Sequence, residues 1–178
     1  LGWLSFGKFR VSWGRSGMHF SNNYLALGIM QVGGSSYLGN SILEPEWSEG
    51  LYNDELSWEE TDQYDFGLDV DMFEHRLGIT LDYYYRYTDK LLNKVDLPGR
   101  GRTTGYRKQW RNVAAVSNEG IEMMVKYEIF RKKDLFWKVS VNMARNWNRF
   151  EKSYTGVDIN GLIIGKSLNG IYALKTDG

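Results

Sequence analysis

Two stretches of this chain, 62–87 and 121–143, each read as a long strand of alternating polarity, a short turn, and a second such strand. In the first, Tyr64, Phe66, Leu68, Val70 and Met72 alternate with Gln63, Asp65, Gly67, Asp69 and Asp71. Its return strand sets Leu77, Ile79, Leu81, Tyr83, Tyr85 and Tyr87 against Gly78, Thr80, Asp82, Tyr84, Arg86 and Thr88. The second hairpin sets Ile121, Met123, Val125, Tyr127 and Ile129 against Glu122, Met124, Lys126 and Glu128. It returns with Leu135, Trp137, Val139, Val141 and Met143 against Phe136, Lys138, Ser140, Asn142 and Ala144. Successive side chains of a strand point to opposite sides, so each hairpin is a ribbon with one apolar and one ionic face. Strands of about ten residues with this alternation, flanked by aromatics, are what crosses an outer membrane as part of a β-barrel.

A soluble antiparallel sheet alternates too, with one face on a core and the other in water. Three features favour the barrel. Strands of soluble domains usually run about five to six residues, and here the pattern persists about twice as long. The apolar faces end in Tyr83, Tyr85, Tyr87, Tyr127 and Trp137, amphipathic residues suited to the boundary of hydrocarbon and headgroups. Short turns at Phe73–Arg76 and Phe130–Asp134 contrast with long connections at Arg15–Ser57, Leu92–Arg111 and beyond Phe150, the asymmetry of bacterial outer-membrane barrels.

Lys plus Arg number 22 and Asp plus Glu 22, so no global field argues for nucleic acid or an acidic substrate. No run of about 18 apolar residues exists, which excludes a transmembrane helix but not a barrel. Phe, Trp and Tyr make up 15% of the chain, a load that suits aromatic girdles and ligand-facing loops. Cysteine is absent, which removes disulfides, thiolate catalysis and Cys-based metal sites.

Phe6–Trp13 reads as the upward strand of a first hairpin. Arg15–Ser57 reads as a long connection punctuated by Gly33, Gly34, Gly39, Asn40 and Pro45, with a short strand at Tyr24–Val32. Asn93–Trp110 and everything from Ser153 read as loop, and no helix is expected. Leu1-Gly2-Trp3 lacks the charged and apolar regions of a signal peptide. The expectation is an internal piece of a longer polypeptide.

His19 and His75 lie apart, in a loop and a turn, and suggest neither a metal pair nor a catalytic one. Asp65, Asp69 and Asp71 share one strand face, whose successive positions stand about 7 Å apart, and fit a polar wall with ion pairs to Arg86, Lys126 and Lys138 rather than a calcium loop. Arg100, Arg102, Tyr106, Arg107, Lys108, Trp110 and Arg111 interleave bases with aromatics. Without a matching basic stripe elsewhere this is a charged surface loop, not a nucleic-acid contact. Ser-His-Asp and phosphate-loop patterns are missing, so no catalytic residue, cofactor or metal is expected and the chain is not read as an enzyme. Trp47, Tyr52 and Trp58, in the first long loop, could stack on sugar rings and are the candidate substrate contacts.

The run Trp58-Glu59, Thr61, Gln63 and Gly67-Leu68-Asp69, followed by Arg76, Asp82-Tyr83-Tyr84 and Leu91-Leu92, resembles the barrel of SusC/RagA-type TonB-dependent outer-membrane transporters. Asn112, Asn118, Gly120 and Glu122 are similar to a second motif of that family, with Ala114 where glycine is usual. Arg10-Val11-Ser12-Trp13-Gly14 with Gly17, and Gly165–Gly178 with Ile171-Tyr172 and Asp177-Gly178, resemble flanking segments. The resemblance covers nearly the whole chain. It implies a barrel of about 22 strands, closed by an N-terminal plug and energised through a TonB box. It also implies a SusD-like surface lipoprotein as a lid, and import of glycans or oligopeptides.

The plug, the TonB box and the signal peptide are not among these residues, so residues 1–178 are expected to supply about five strands of the barrel domain and its extracellular loops. The fold expected is all-β, a portion of an antiparallel transmembrane barrel in the bacterial outer membrane, with lipid, TonB, the lipoprotein and the substrate as partners. Two other readings stand beside import: a structural or adhesive outer-membrane barrel, and a soluble carbohydrate-binding β-sandwich.

Overall fold

A computed structural model describes residues 2–18, 30–45, 50–97, 106–154, 156, 158–159 and 161–171. Seven strands follow in order: β1 (Leu4–Met18), β2 (Met30–Tyr37), β3 (Asn40–Pro45), β4 (Glu59–Met72), β5 (Leu77–Asp96), β6 (Lys108–Lys132) and β7 (Leu135–Ser153). No helix occurs among the described residues. The main sheet has the order β1-β4-β5-β6-β7, every neighbour antiparallel, and β2 and β3 form a separate hairpin.

The register explains why the alternation persists over so many residues. Phe9 pairs with Leu68, Leu68 with Leu81, Leu81 with Met123, and Met123 with Met143. One row toward the short turns lie Gly7, Val70, Ile79, Val125 and Val141; one row the other way lie Val11, Phe66, Tyr83, Ile121 and Arg145. The next row is Trp13, Tyr64, Tyr85, Glu119 and Trp147. Each strand places its apolar residues beside those of its neighbour, so five ribbons merge into one apolar face. Direct neighbours of this kind each contribute about 0.2–1 kcal/mol; the Phe66 and Tyr83 rings lie 6.3 Å apart between centroids. Among the described residues nothing covers that face: Phe9 is 69% exposed, Trp13 62% and Met143 54%. From the Met72–Leu77 row to the Tyr64–Tyr85 row is about 27 Å along the strand, or about 20 Å of height at a tilt of about 40°.

Several boundaries differ from the sequence expectation. β1 runs on to Met18, and Gly33–Ser36 lies inside β2, where the β2–β3 register is irregular between Val32 and Ser36. The reversal falls at Leu38-Gly39, both with positive φ (51° and 79°), the backbone of a tight two-residue hairpin. Only Met30–Val32 of the expected strand at Tyr24–Val32 is described, as part of β2. β5 and β6 continue their pairing to Asp96↔Lys108, deep into the expected loop, because Leu92, Val95 and Trp110 sustain the ladder. A bulge between Glu128 and Phe130 sets Phe130 opposite Trp137, where the rings stack at 6.0 Å, and carries β6 to Lys132.

Register shifts fall at one level on three adjacent strands: between Thr88 and Leu92 on β5, at Val113 on β6, and at Glu151 on β7. Across this line lies the buried cluster of Val113, Ala114 and Phe150, packed by Leu91, Val95, Val116, Ile159, Leu162 and Leu168. Phe150 is 1% exposed. Residues 163–166 fold back onto it through Gly165 N–H to Phe150 O at 2.6 Å and Phe150 N–H to Lys166 O at 2.8 Å.

Candidate functional site: the polar face and the mouth

The second face of the sheet carries Lys8, Arg10, Ser12, Asp65, Asp69, Asp82, Tyr84, Glu122 and Asn146. Arg10 is its centre. The guanidinium grips Asp69 through Nε (2.9 Å) and Nη2 (3.2 Å), and Nη2 also reaches Asp82 at 2.9 Å. That crossing passes over Gly67, where a Cβ would stand 2.6 Å from Arg10 Cζ and 2.7 Å from Asp82 Oδ1. Gly120 leaves the same kind of room in the next row up. A Cβ there would meet Asn146 Oδ1 at 2.5 Å and Tyr84 Cε1 at 2.6 Å, the two groups that join as Tyr84 OH to Asn146 Oδ1 at 3.0 Å. Asp65 accepts from Ser12 Oγ (3.0 Å) and Gln63 Nε2 (3.0 Å), and Gln63 Oε1 accepts from Arg86 (2.9 Å).

The cation for Asp69 is therefore Arg10 of β1, not the expected Arg86, Lys126 or Lys138. The spacing within one strand hides this; the β1–β4 register, which sets Arg10 opposite Gly67 and Lys8 opposite Asp69, decides it. His75 Nδ1 lies 3.0 Å from Asp71 Oδ2 in the turn, while His19 lies outside the described residues. Among the described residues no three His, Asp or Glu side chains are placed to hold a metal ion.

The connection leading into β4 lies against the start of β6. Leu51 N–H donates to Lys108 O (2.8 Å), Gln109 Nε2 to Tyr52 O (2.7 Å) and Asn53 Nδ2 to Trp110 O (2.7 Å). Asn112 fastens the far end: Nδ2 donates to Ser57 O (2.8 Å) and Lys90 O (2.7 Å), and Oδ1 accepts from Ser57 N–H (2.9 Å). This strap and the end of β7 enclose a cavity of about 450 Å³ lined by Tyr52, Asp54, Glu55, Arg111, Val113 and Tyr154 among others. The Tyr154 hydroxyl donates to Asp89 Oδ1 at 2.6 Å; partial burial, with that carboxylate beside it, holds its pKa above the ordinary tyrosine value.

Of the three candidate substrate contacts, Tyr52 lines this cavity. Trp58 is 60% exposed and lies beside Gly17 instead, and Trp47 is outside the described residues. Arg100 and Arg102 of the basic-aromatic run are outside them too; Trp110 sits within β6 with the Lys94 ammonium 4.9 Å from its ring centre. Arg111 and Tyr154 were not legible as cavity residues. They share the cavity because β7 ends at Val113 and Ala114 of β6, beside the far end of the strap at Asn112.

A meander of long antiparallel strands, apolar on one face and ion-paired on the other, with the outer edges of the first and last strands unpaired among the described residues, is a sector of an up-and-down barrel. The family model described as TonB dependent receptor-like, beta-barrel, matches residues 2–172, and the chain belongs to that family. It is 29% identical to TonB-dependent receptor P39 of Formosa agariphila over 100% of this chain and 17% of the relative. It is also 29% identical to TonB-dependent receptor SusC of Bacteroides thetaiotaomicron, over 87% of this chain and 16% of that protein. The solved RagAB peptide transporter superposes with a TM-score of 0.75 at 27% identity, over 93% of this chain and 18% of that chain. The RagAB peptide importer in its open-open state gives 0.74 at 28%, over 89% and 17%. The chain thus spans about one sixth of the length of the curated relatives it matches. The all-β barrel expectation and the SusC/RagA resemblance hold.

Proposed function

We propose that the chain is a wall sector of a TonB-dependent importer of glycans or oligopeptides in the bacterial outer membrane. The observation that carries this reading is the division of one continuous sheet into an uncovered apolar face and an ion-paired polar face. The apolar face contacts lipid, the polar face lines a hydrated lumen, and the strap with its cavity belongs to the extracellular mouth. Tyr52, with Trp47 and Trp58, remains the candidate for substrate contact there. On this reading the chain serves reception and transport rather than catalysis, as membership of a receptor family supports. The plug, the TonB box and a SusD-like lipoprotein are supplied outside residues 1–178. Membership of a receptor family, with RagAB importers among the structural relatives, supports import over an adhesive barrel or a soluble sandwich.

The test is uptake by cells carrying the full-length protein and its neighbouring lipoprotein. Labelled oligosaccharide and oligopeptide mixtures should enter in a TonB-dependent manner. Surface binding without TonB-dependent entry would instead identify an adhesin. Cysteines at Glu74 and Gly156 add the topology, since only the second should react with an impermeant thiol reagent on intact cells.

A further inference from the structure

Resting on the reading of the apolar face as lipid-facing, we propose that Arg145, Trp147 and Arg149 of β7 form a site for the phosphate of an anionic lipid headgroup. The three residues stand on the apolar face, opposite Ile121, Glu119 and Ser117 of β6, and all three are exposed. The Arg145 guanidinium carbon stands 5.0 Å from the centre of the Trp147 ring. The side chain therefore reaches away from the middle of the apolar band and toward the mouth.

Carboxylates on the same face have other partners. Glu119 accepts the Tyr83 hydroxyl at 3.0 Å, Glu151 accepts from Ser117, Asp89 accepts from Tyr154, and Asp62 is held by Arg15 through two bonds of 2.7 Å. Among the described residues, none of these carboxylates forms an ion pair with Arg145 or Arg149. Two arginines thus flank an indole on one strand at the level of the Trp13–Tyr64–Tyr85 belt, and neither is held in an ion pair among the described residues.

Arginine at the edge of hydrocarbon is costly until it meets water or an anion, and its long stem lets the head reach the interface. Its planar fork matches phosphate oxygens in pairs, and an indole is at home at headgroup depth. A lipid phosphate fits better than a soluble one because the rows of Ile121, Met123 and Met143 lie directly below. An acyl chain attached to the bound phosphate can lie along them without a break.

The full-length receptor in detergent, melted with added diphosphorylated lipid A, with the same lipid dephosphorylated, and with inorganic phosphate, tests the site. The phosphorylated lipid alone should raise the melting temperature. Arg145→Gln/Arg149→Gln should weaken its apparent affinity about thirtyfold, at about 1 kcal/mol for each arginine. Arg145→Lys/Arg149→Lys should recover some of the loss, and Lys138→Gln, on the opposite face of β7, should change nothing. Undiminished affinity in the glutamine variant, as a carboxylate on an adjoining strand would produce, overturns the proposal. So does an equal response to dephosphorylated lipid or to inorganic phosphate. A fluorophore on Met143→Cys in vesicles separates the two levels. No quenching by brominated acyl chains refutes the lipid-facing reading itself, whereas quenching without phosphate dependence refutes the arginine site alone.

Discussion

At the residue scale, two glycines matter for the room they leave. Gly67 and Gly120 stand out in the sequence as members of a motif, but their reason needs the register, because the side chains that pass over them come from other strands. Gly120→Ala should cost about 1–3 kcal/mol as the Tyr84 ring and the Asn146 amide are forced apart. Gly67→Ala should cost less, because the far end of Arg10 is flexible and can retreat from Asp82 while keeping Asp69. Melting of the full-length protein in detergent should rank them in that order. The turn after β4 holds a strain that the sequence conceals. Phe73, Glu74 and His75 have φ of 54°, 56° and 64°, a left-handed run that costs a non-glycine residue about 1–2 kcal/mol. Glu74→Gly should therefore stabilise the protein by about 1 kcal/mol, read as a raised melting temperature. Phe73–Arg76 is recognisable as a turn from the sequence; its handedness is not, since no glycine or asparagine marks it.

At the scale of the element, alternation made the central strands legible and said little about their ends. The expected strands stop near Tyr87 and Ile121, whereas β5 and β6 pair out to Asp96 and Lys108. Bulges reset the alternation there, and a period-of-two reading loses its phase at each of them. Inside the regular portion the faces are well separated, which sets up a direct comparison. Leu81→Arg, in the middle row of the apolar face, should cost about 2–4 kcal/mol in lipid. Thr80→Arg, its neighbour on the polar face, should cost far less. Equal losses in unfolding free energy from vesicles would remove the lipid-facing assignment. The strap gives a second test. Asn112→Ala breaks four hydrogen bonds at once, those with Ser57 N–H, Ser57 Oγ, Ser57 O and Lys90 O. Amide exchange in residues 51–57 should accelerate, while residues 64–72 of β4 keep their protection.

For the whole molecule, the five strands of the main sheet leave β1 and β7 each with one edge unpaired among the described residues. In hydrocarbon, unpaired backbone groups cost several kcal/mol each; in water, the apolar face is far larger than the patches soluble monomers tolerate. Residues 1–178 expressed alone should aggregate or require detergent, and show no cooperative unfolding. A monodisperse monomer with a sharp thermal transition would contradict this. The sequence pattern identifies the wall because lipid selects one simple property, apolarity at every second position. The mouth is set by where strands end and what covers them, and no local pattern records that. The line of bulges across β5, β6 and β7 separates these two regimes, and it bears on how such proteins diversify. A slip of one residue in a ladder would turn every lower side chain from lipid to lumen. Extra residues already absorbed at a single level let the segments beyond it lengthen, shorten or be exchanged between lineages, while the wall beneath keeps its phase.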